Sequence, residues 1–138
     1  MRKLYLLVSL FVAFSCNSPK ENTIQIALIN NNSTLKISGV DSLILNDIAR
    51  DTSNHFDVLA SIYRMPADTD MKDYQSVQPG KYTVKNGELL FAPDTGFVKG
   101  QTYFVRYYRF NKQNSVWDFM SKRKNAMSQK YNDLIFKP

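Results

Sequence analysis

The feature that most constrains the fold is a series of short segments in which apolar and polar residues alternate, each bounded by turn residues. The first segment covers residues 23–29 and places Ile24, Ile26 and Leu28 on one face, as a half-buried β-strand requires. A turn is predicted at residues 30–33. Further short strands are predicted at residues 34–38, 41–45 and 56–63. The last of these is apolar over much of its length, which predicts a central strand covered on both faces.

The second half of the chain continues this pattern. Asn86-Gly87 lies between two apolar segments and is the strongest hairpin signal in the sequence, because type I′ turns need residues that tolerate positive φ. Residues 101–110 form the longest predicted strand, and residues 133–136 form a final strand that we expect to pair with it. The pattern therefore predicts a mainly β protein built as a single antiparallel β-sandwich.

One helix is expected between the last two strands. Ser115 precedes Asp118 at the spacing of a capping box. Apolar residues follow at helical spacing, namely Trp117, Met120, Met127 and Tyr131. We therefore predict a C-terminal amphipathic helix over residues 115–130, laid against the sandwich.

The first residues have the pattern of an export signal. Arg2 and Lys3 supply positive charge, and the apolar run at residues 4–14 is too short to cross a bilayer, which takes about 20 residues. Cleavage before Cys16, the only cysteine, would make it the new N-terminus. Ala13-Phe14-Ser15-Cys16 resembles the lipobox of bacterial lipoproteins, which implies acylation of Cys16 and anchoring in the cell envelope, at the outer membrane. A secreted protein with a free cysteine is the alternative, but an unpaired thiol is a liability in an oxidising compartment.

These signals divide the chain into a signal peptide at residues 1–15, a lipidated N-terminus and tether at residues 16–22, and one β-sandwich domain at residues 23–138. The chain carries 18 Lys and Arg residues against 12 Asp and Glu. Without Arg2 and Lys3 the mature domain remains mildly basic. Because an exported protein does not normally meet nucleic acid, this balance points to acidic partners or lipid headgroups.

Residues suited to catalysis are sparse. The single histidine, His55, lies in a polar segment near Asp57, and no serine stands in a nucleophile-elbow sequence. We interpret His55 as an exposed loop residue and expect no enzymatic activity and no cofactor. Asp68, Asp70 and Asp73 offer oxygen ligands to calcium, but the EF-hand frame is missing, which favours a solvated acidic loop over a metal site.

Acidic and basic residues concentrate in different parts of the chain. Acidic residues are frequent between residues 41 and 73, and basic residues between residues 106 and 130. This distribution predicts a polarised surface that steers docking to a charged partner, although either patch alone also fits a solvated surface. The candidate partner-binding residues are Arg109, Lys112, Trp117, Lys122, Arg123 and Lys124. If the ligand is a glycan instead, Tyr108 and Trp117 are the candidate stacking aromatics.

Residues 87–93 and 97–105 resemble the late strands of bacterial immunoglobulin-like and fibronectin type III-like domains. The resemblance gives Tyr103 the place of the corner tyrosine, whose hydroxyl bonds back to the backbone. It implies an immunoglobulin-like, fibronectin III-like or transthyretin-like sandwich, without the usual cysteine pair. It implies no function, because this architecture hosts many.

Gln78-Pro79-Gly80, the strand that begins at Tyr103, and Trp117 after it resemble the outer-membrane lipoprotein of type VI secretion systems, which is also a small sandwich behind a lipobox. This resemblance implies a non-catalytic, membrane-tethered component that binds a protein partner in an envelope-spanning assembly. The alternative is a surface accessory lipoprotein that binds glycans or other ligands. A single short domain favours the protein-binding role, because glycan-binding lipoproteins usually carry additional modules.

Overall fold

The computed structural model describes residues 23–50, 56–109 and 130–138, and this part of the chain is mainly β. In chain order its elements are β1 (Gln25–Ile29), β2 (Thr34–Ser38), α1 (Ser42–Arg50), a 3₁₀ helix (Phe56–Val58), β3 (Ala60–Arg64), a second 3₁₀ helix (Thr69–Tyr74), β4 (Gly80–Lys85), β5 (Glu88–Pro93), β6 (Tyr103–Tyr108) and β7 (Tyr131–Phe136).

The strands form two antiparallel sheets. The four-stranded sheet has the order β1-β2-β5-β4, and the three-stranded sheet has the order β3-β6-β7. The predicted pairing of the final strand with the long strand is confirmed, since β7 lies beside β6 with Arg106 opposite Asp133. β6 is therefore the central strand of its sheet, and both of its faces are covered.

Buried side chains from both sheets form one hydrophobic cluster, which gives the described residues a sandwich-like arrangement. The four-stranded sheet contributes Leu35, Ile37, Leu89 and Phe91, and the three-stranded sheet contributes Ala60, Ile62, Val105 and Tyr107. Each fully buried Leu, Ile or Phe side chain stabilises the fold by about 1.5–3 kcal/mol. The hydroxyl of Tyr82 donates to the backbone oxygen of Ala60 at 2.5 Å, so a hydrogen bond also joins the two sheets.

The turns follow the sequence signals. Asn30, Asn31 and Asn32 all have positive φ between β1 and β2, a conformation that asparagine tolerates better than most residues. Asn86 and Gly87 have φ of 53° and 74°. They connect β4 to β5 as a two-residue hairpin, as predicted.

The strand predicted at residues 41–45 is wrong, because these residues begin α1. A carboxylate oxygen of Asp41 accepts from the backbone N–H of Leu43 at 2.8 Å, and its carbonyl accepts from the N–H of Leu45 at 3.0 Å. Asp41 is thus an N-cap, which satisfies donors that the first helical turn leaves free. Leu45 is buried and Ile44 packs against the core, so the apolar run forms a helix face.

The central strand predicted at residues 56–63 needs correction in position and extent. Its first residues form the 3₁₀ helix Phe56–Val58, with the N–H of Leu59 donating to the carbonyl of Phe56 at 3.0 Å. β3 then begins at Ala60 and lies at the edge of the three-stranded sheet. Phe56 is buried in the core although it is outside the strand, which explains the apolar character of the whole segment.

Two other predictions have different outcomes. The acidic segment before β4 is exposed as expected but contains the 3₁₀ helix Thr69–Tyr74, in which Asp68 caps the first turn by accepting from the N–H of Asp70 at 3.0 Å. The predicted C-terminal helix at residues 115–130 lies outside the described residues, apart from Lys130.

Candidate functional site

The outer face of the three-stranded sheet, which points away from the hydrophobic core, carries an unusual concentration of charge and aromatic rings. The strand register places Ser61, Arg106 and Asp133 in one row across the sheet. The 3₁₀ helix Thr69–Tyr74 lies over this face, because side chains from it contact the row. We call the following residues the Arg106 cluster: Tyr63, Lys72, Asp73, Phe104, Arg106, Tyr131 and Asp133.

Ion pairs hold the cluster together. Nε of Arg106 lies 3.0 Å from one carboxylate oxygen of Asp133, and Nη2 lies 3.1 Å from the other, which is a bidentate arrangement. Nη2 also lies 2.8 Å from Asp73. Lys72 Nζ contacts Asp133 at 2.7 Å. Two cations and two carboxylates therefore neutralise one another, and Arg106 is the only charged residue buried in the described part of the chain.

Aromatic rings surround the guanidinium. The ring centre of Tyr131 is 4.1 Å from Cζ of Arg106, and the rings of Tyr63 and Phe104 lie within 5.8 Å of it. Tyr63 and Phe104 stack on each other at 5.0 Å, while Lys72 Nζ is 4.7 Å from the centre of the Phe104 ring. Such cation–π contacts gain strength when the cation is withdrawn from water. These distances show that the rings and the two cations of the cluster are closely packed.

The pKa shifts in the cluster favour its charged forms. Hydrogen bonding to Asp133 raises the pKa of Arg106 further above neutrality. Burial raises the pKa of Asp133, but hydrogen bonds from Arg106 and Lys72 outweigh that effect and leave the pKa below its ordinary value. Burial also raises the pKa of nearby Tyr108 to about 12. The shifts of Arg106 and Asp133 both stabilise the charged forms that their ion pair requires, which suits the pair to holding this surface in place.

Exposed apolar side chains lie around the Arg106 cluster. Met71 and Tyr74 belong to the 3₁₀ helix that covers it and are 48% and 79% exposed. Ile135 lies opposite Phe104 on the same face and is 62% exposed, and the outer part of the Tyr131 ring also reaches solvent. Aromatic residues and methionine are enriched at protein interfaces. We call Met71, Tyr74, Tyr131 and Ile135 the apolar rim.

An open cleft of about 610 Å³ lies at one end of the three-stranded sheet. It is lined by residues 64–67, 75 and 100–102. Arg64 Nη2 donates to the amide oxygen of Gln101 at 2.9 Å, and Gln101 Nε2 donates to the carbonyls of Met65 and Thr102. Gln101 thus joins the loop after β3 to the start of β6, which makes the cleft floor a structural junction.

Comparison with known proteins found no matching family model, no matching curated protein and no matching solved structure. Within the ranges that the structure describes, no helix is long and apolar enough to cross a membrane. The same ranges contain no group of three or more His, Cys, Asp or Glu residues arranged to hold a metal ion. Asp73 pairs with Arg106 and Asp68 caps its own helix, so these two carboxylates have structural partners.

Of the residues predicted to bind a partner, the structure describes Arg109, which is exposed just after β6, with its N–H donating to the carbonyl of Lys130 at 3.0 Å. Tyr108, the candidate stacking aromatic, is half-buried with its ring 6.1 Å from that of Tyr131. The predicted residues that lie outside the described part are Cys16, His55, Lys112, Trp117, Lys122, Arg123 and Lys124.

The Arg106 cluster itself was not predicted. Arg106 was assigned to a basic surface, whereas it is buried and paired with Asp73 from the acidic half of the sequence. One signal was available, because an arginine in the middle of the strand Tyr103–Tyr108 must either face solvent or find a carboxylate. Naming Asp133 as its partner requires the register of β6 against β7, which the sequence does not provide.

Proposed function

We propose that this protein is a non-catalytic lipoprotein, tethered to the bacterial envelope through an acylated Cys16, that binds a protein partner in an envelope-spanning assembly. The outer membrane is the proposed location, and a secretion system is the proposed type of assembly. The lipobox-like segment supports the tether, and its lone cysteine is suited to acylation. The proposal for the fold is an immunoglobulin-like or transthyretin-like sandwich with a C-terminal helix.

A tyrosine contact supports the finer fold proposal. The backbone N–H of Val98 donates to the hydroxyl of Tyr103 at 3.0 Å, five residues back along the chain. A tyrosine at the start of a strand that bonds to the preceding connection is a property of immunoglobulin-like corners. Tyr103 is almost fully buried and stacks on Phe136 at 5.5 Å, so the contact also holds the connection against the sheet.

The single observation that carries the functional proposal is the apolar rim around the Arg106 cluster. A partner that covers Tyr74 and Met71 removes apolar area from water, and each Å² removed is worth about 25 cal/mol. The ion pairs below hold the 3₁₀ helix in place, so little order has to be gained on binding. A preorganised face with exposed aromatic and methionine side chains is what a protein-binding site requires.

Crosslinking in intact cells, followed by detergent purification and mass spectrometry, tests the proposal. We compare the native protein with Cys16→Ser, which removes the tether, and with Tyr74→Ser, which removes the more exposed of the two rings of the rim. Leu43→Ser is the matched control, because Leu43 is 70% exposed but lies on α1. We expect an envelope protein to be recovered with the native chain and the control, and to be lost with the other two variants.

Two results would contradict this expectation. Equal recovery with Tyr74→Ser and Leu43→Ser would show that the rim is not the binding surface. Recovery of an outer-membrane transporter together with its glycan-binding lipoproteins would replace the proposal by the alternative of a glycan-uptake accessory protein. In that case, the exposed aromatic side chains become candidates for sugar stacking.

A further inference from the structure

One side of β7 is not paired with any described residue. The hydrogen bond from the N–H of Arg109 to the carbonyl of Lys130 fixes which backbone groups point toward β6, because this orientation alternates along an antiparallel strand. The residues whose backbone groups point toward β6 are Asn132, Leu134 and Phe136. The residues whose backbone N–H and C=O groups point to the open side are Tyr131, Asp133 and Ile135.

Two of the other sheet edges have protection that no described residue gives to β7. On the open side of β3, the N–H of Gln78 donates to the carbonyl of Ile62 at 2.7 Å, and Val77 bridges Tyr63. The edge strand β4 carries Lys81 and Lys85, whose charges disfavour pairing with another strand. The remaining edge strand, β1, is shorter, at five residues against six in β7.

The side chains of β7 also favour pairing with another strand. Its sequence, Tyr131 to Phe136, contains no lysine, proline or glycine, and Tyr131 and Ile135 are exposed. Asp133 carries the only charge in the strand, and a charge on an edge strand normally opposes pairing. Here that charge is compensated by Arg106 and Lys72. Among the described residues, this edge of the sheet therefore has no pairing strand, carries no uncompensated charge and is partly apolar.

We infer that β7 pairs antiparallel with β7 of a second copy of this chain, which joins the two three-stranded sheets into one six-stranded sheet. About a twofold axis, two registers place each of the three outward residues opposite a described residue of the second copy. With Leu134 opposite Leu134 of the second copy, Asp133 faces Ile135, and the ring of Tyr131 faces the cation of Lys137. With Asp133 opposite itself, two carboxylates would lie side by side, which disfavours that register.

Charge and closure both favour a second copy over a foreign strand. In the Leu134 register, the Lys137 ammonium lies diagonal to Asp133 of the other copy, so the edge complements its own sequence. Pairing about a twofold axis uses the edge of β7 in both copies, so this contact closes at two chains. This inference goes beyond the proposed function, because it concerns the edge of the sheet and self-association.

Analytical ultracentrifugation of the purified full chain carrying Cys16→Ser, at concentrations up to about 100 µM, tests the dimer. Ile135→Pro removes an N–H that points to the open side while leaving the bonds to β6 intact. Ile135→Asp puts a carboxylate opposite Asp133 of the second copy. We expect a dimer for the parent chain and at least about tenfold weaker association for both variants, with unchanged circular dichroism. A monomeric parent chain, or well-folded variants that still dimerise with parental affinity, would overturn the inference.

Disulfide trapping tests the register. In the same Cys16→Ser background, Leu134→Cys places two thiols at a non-hydrogen-bonded pair with Cα atoms about 4.5 Å apart, within the range that a disulfide spans. Asn132→Cys is the matched control, because its counterpart in this register is Phe136. We expect covalent dimers under mild oxidation with Leu134→Cys only. Equal crosslinking of both, or of Asn132→Cys alone, would exclude this register.

Discussion

The ion pair between Arg106 and Asp133 gives the sharpest test of the structure. Arg106→Met keeps most of the side-chain volume beneath Tyr131 but leaves the carboxylate of Asp133, whose side chain is only 14% exposed, without its bidentate partner. Breaking a buried pair costs about 3–5 kcal/mol. Lys72 remains 2.7 Å from Asp133 and compensates in part, and the freed Asp73 is mostly exposed. We therefore expect a loss of about 2–3 kcal/mol in the free energy of unfolding.

Urea denaturation of the parent chain, Arg106→Met, Asp133→Asn and the double variant at pH 7 measures this loss and the coupling between the two residues. We expect a coupling energy of about 1.5 kcal/mol or more, because the double variant removes both charges together. Since the pKa of Asp133 is lower in the folded chain than the unfolded value near 3.9, its stabilising effect is present above that value. The effect is lost as the pH falls through the folded pKa.

The coupling energy should therefore decrease progressively when the cycle is repeated at lower and lower pH, as Asp133 becomes protonated in the folded chain. Asp133→Asn should also reduce the loss of unfolding free energy that acidification causes. A coupling energy below about 0.5 kcal/mol at pH 7, or one that does not change on acidification, would refute the buried-pair reasoning, because surface pairs show such values.

Three further substitutions test other contacts by thermal or urea unfolding. Gly39→Ala should lower the free energy of unfolding by several kcal/mol, because Gly39 has φ +84° and a Cβ there would lie 2.4 Å from a backbone oxygen. Gly87→Ala should lower it by only about 1 kcal/mol, because Gly87 has φ +74° but a Cβ there would have nothing within 4 Å. Similar losses for both variants would contradict the steric argument. Tyr82→Phe should lower the free energy of unfolding by about 1–2 kcal/mol, because it leaves the carbonyl of Ala60 without its donor. An unchanged free energy of unfolding would show that the hydroxyl does not join the sheets. Asp41→Ala should cost about 1 kcal/mol and reduce the far-ultraviolet helix signal, and an unchanged signal would show that the cap is unimportant for α1.

The parts of the fold that the sequence predicted are those set by neighbouring residues. The hairpin at Asn86-Gly87 depends on two residues that tolerate positive φ, and the alternation around Leu35 and Ile37 depends on one buried face. α1 was missed because Leu43, Ile44 and Leu45 form an apolar run that suits either a strand or a helix. The cap at Asp41 was the local signal that favoured the helix.

The candidate site depends on distant residues, which explains why it was not predicted. Arg106 and Asp133 are 27 positions apart, and Arg106 and Asp73 are 33 apart. Their meeting is fixed by the register of β6 against β7 and by the placement of the Thr69–Tyr74 helix over the sheet. Composition showed only that acidic and basic residues were separated along the chain, and folding places members of the two groups in direct contact.

The hydrogen bond between Arg109 and Lys130 has a consequence for how such a protein can vary. Arg109 and Lys130 are the described residues on either side of residues 110–129, and the N–H of Arg109 lies 3.0 Å from the carbonyl of Lys130. Doubling the length of a flexible connection between fixed points costs only about 0.6 kcal/mol. This stretch can therefore be exchanged or lengthened without changing the register of β6 and β7. The connection between Arg109 and Lys130 is therefore a natural grafting position, where new recognition sequences can be inserted while the scaffold keeps its stability.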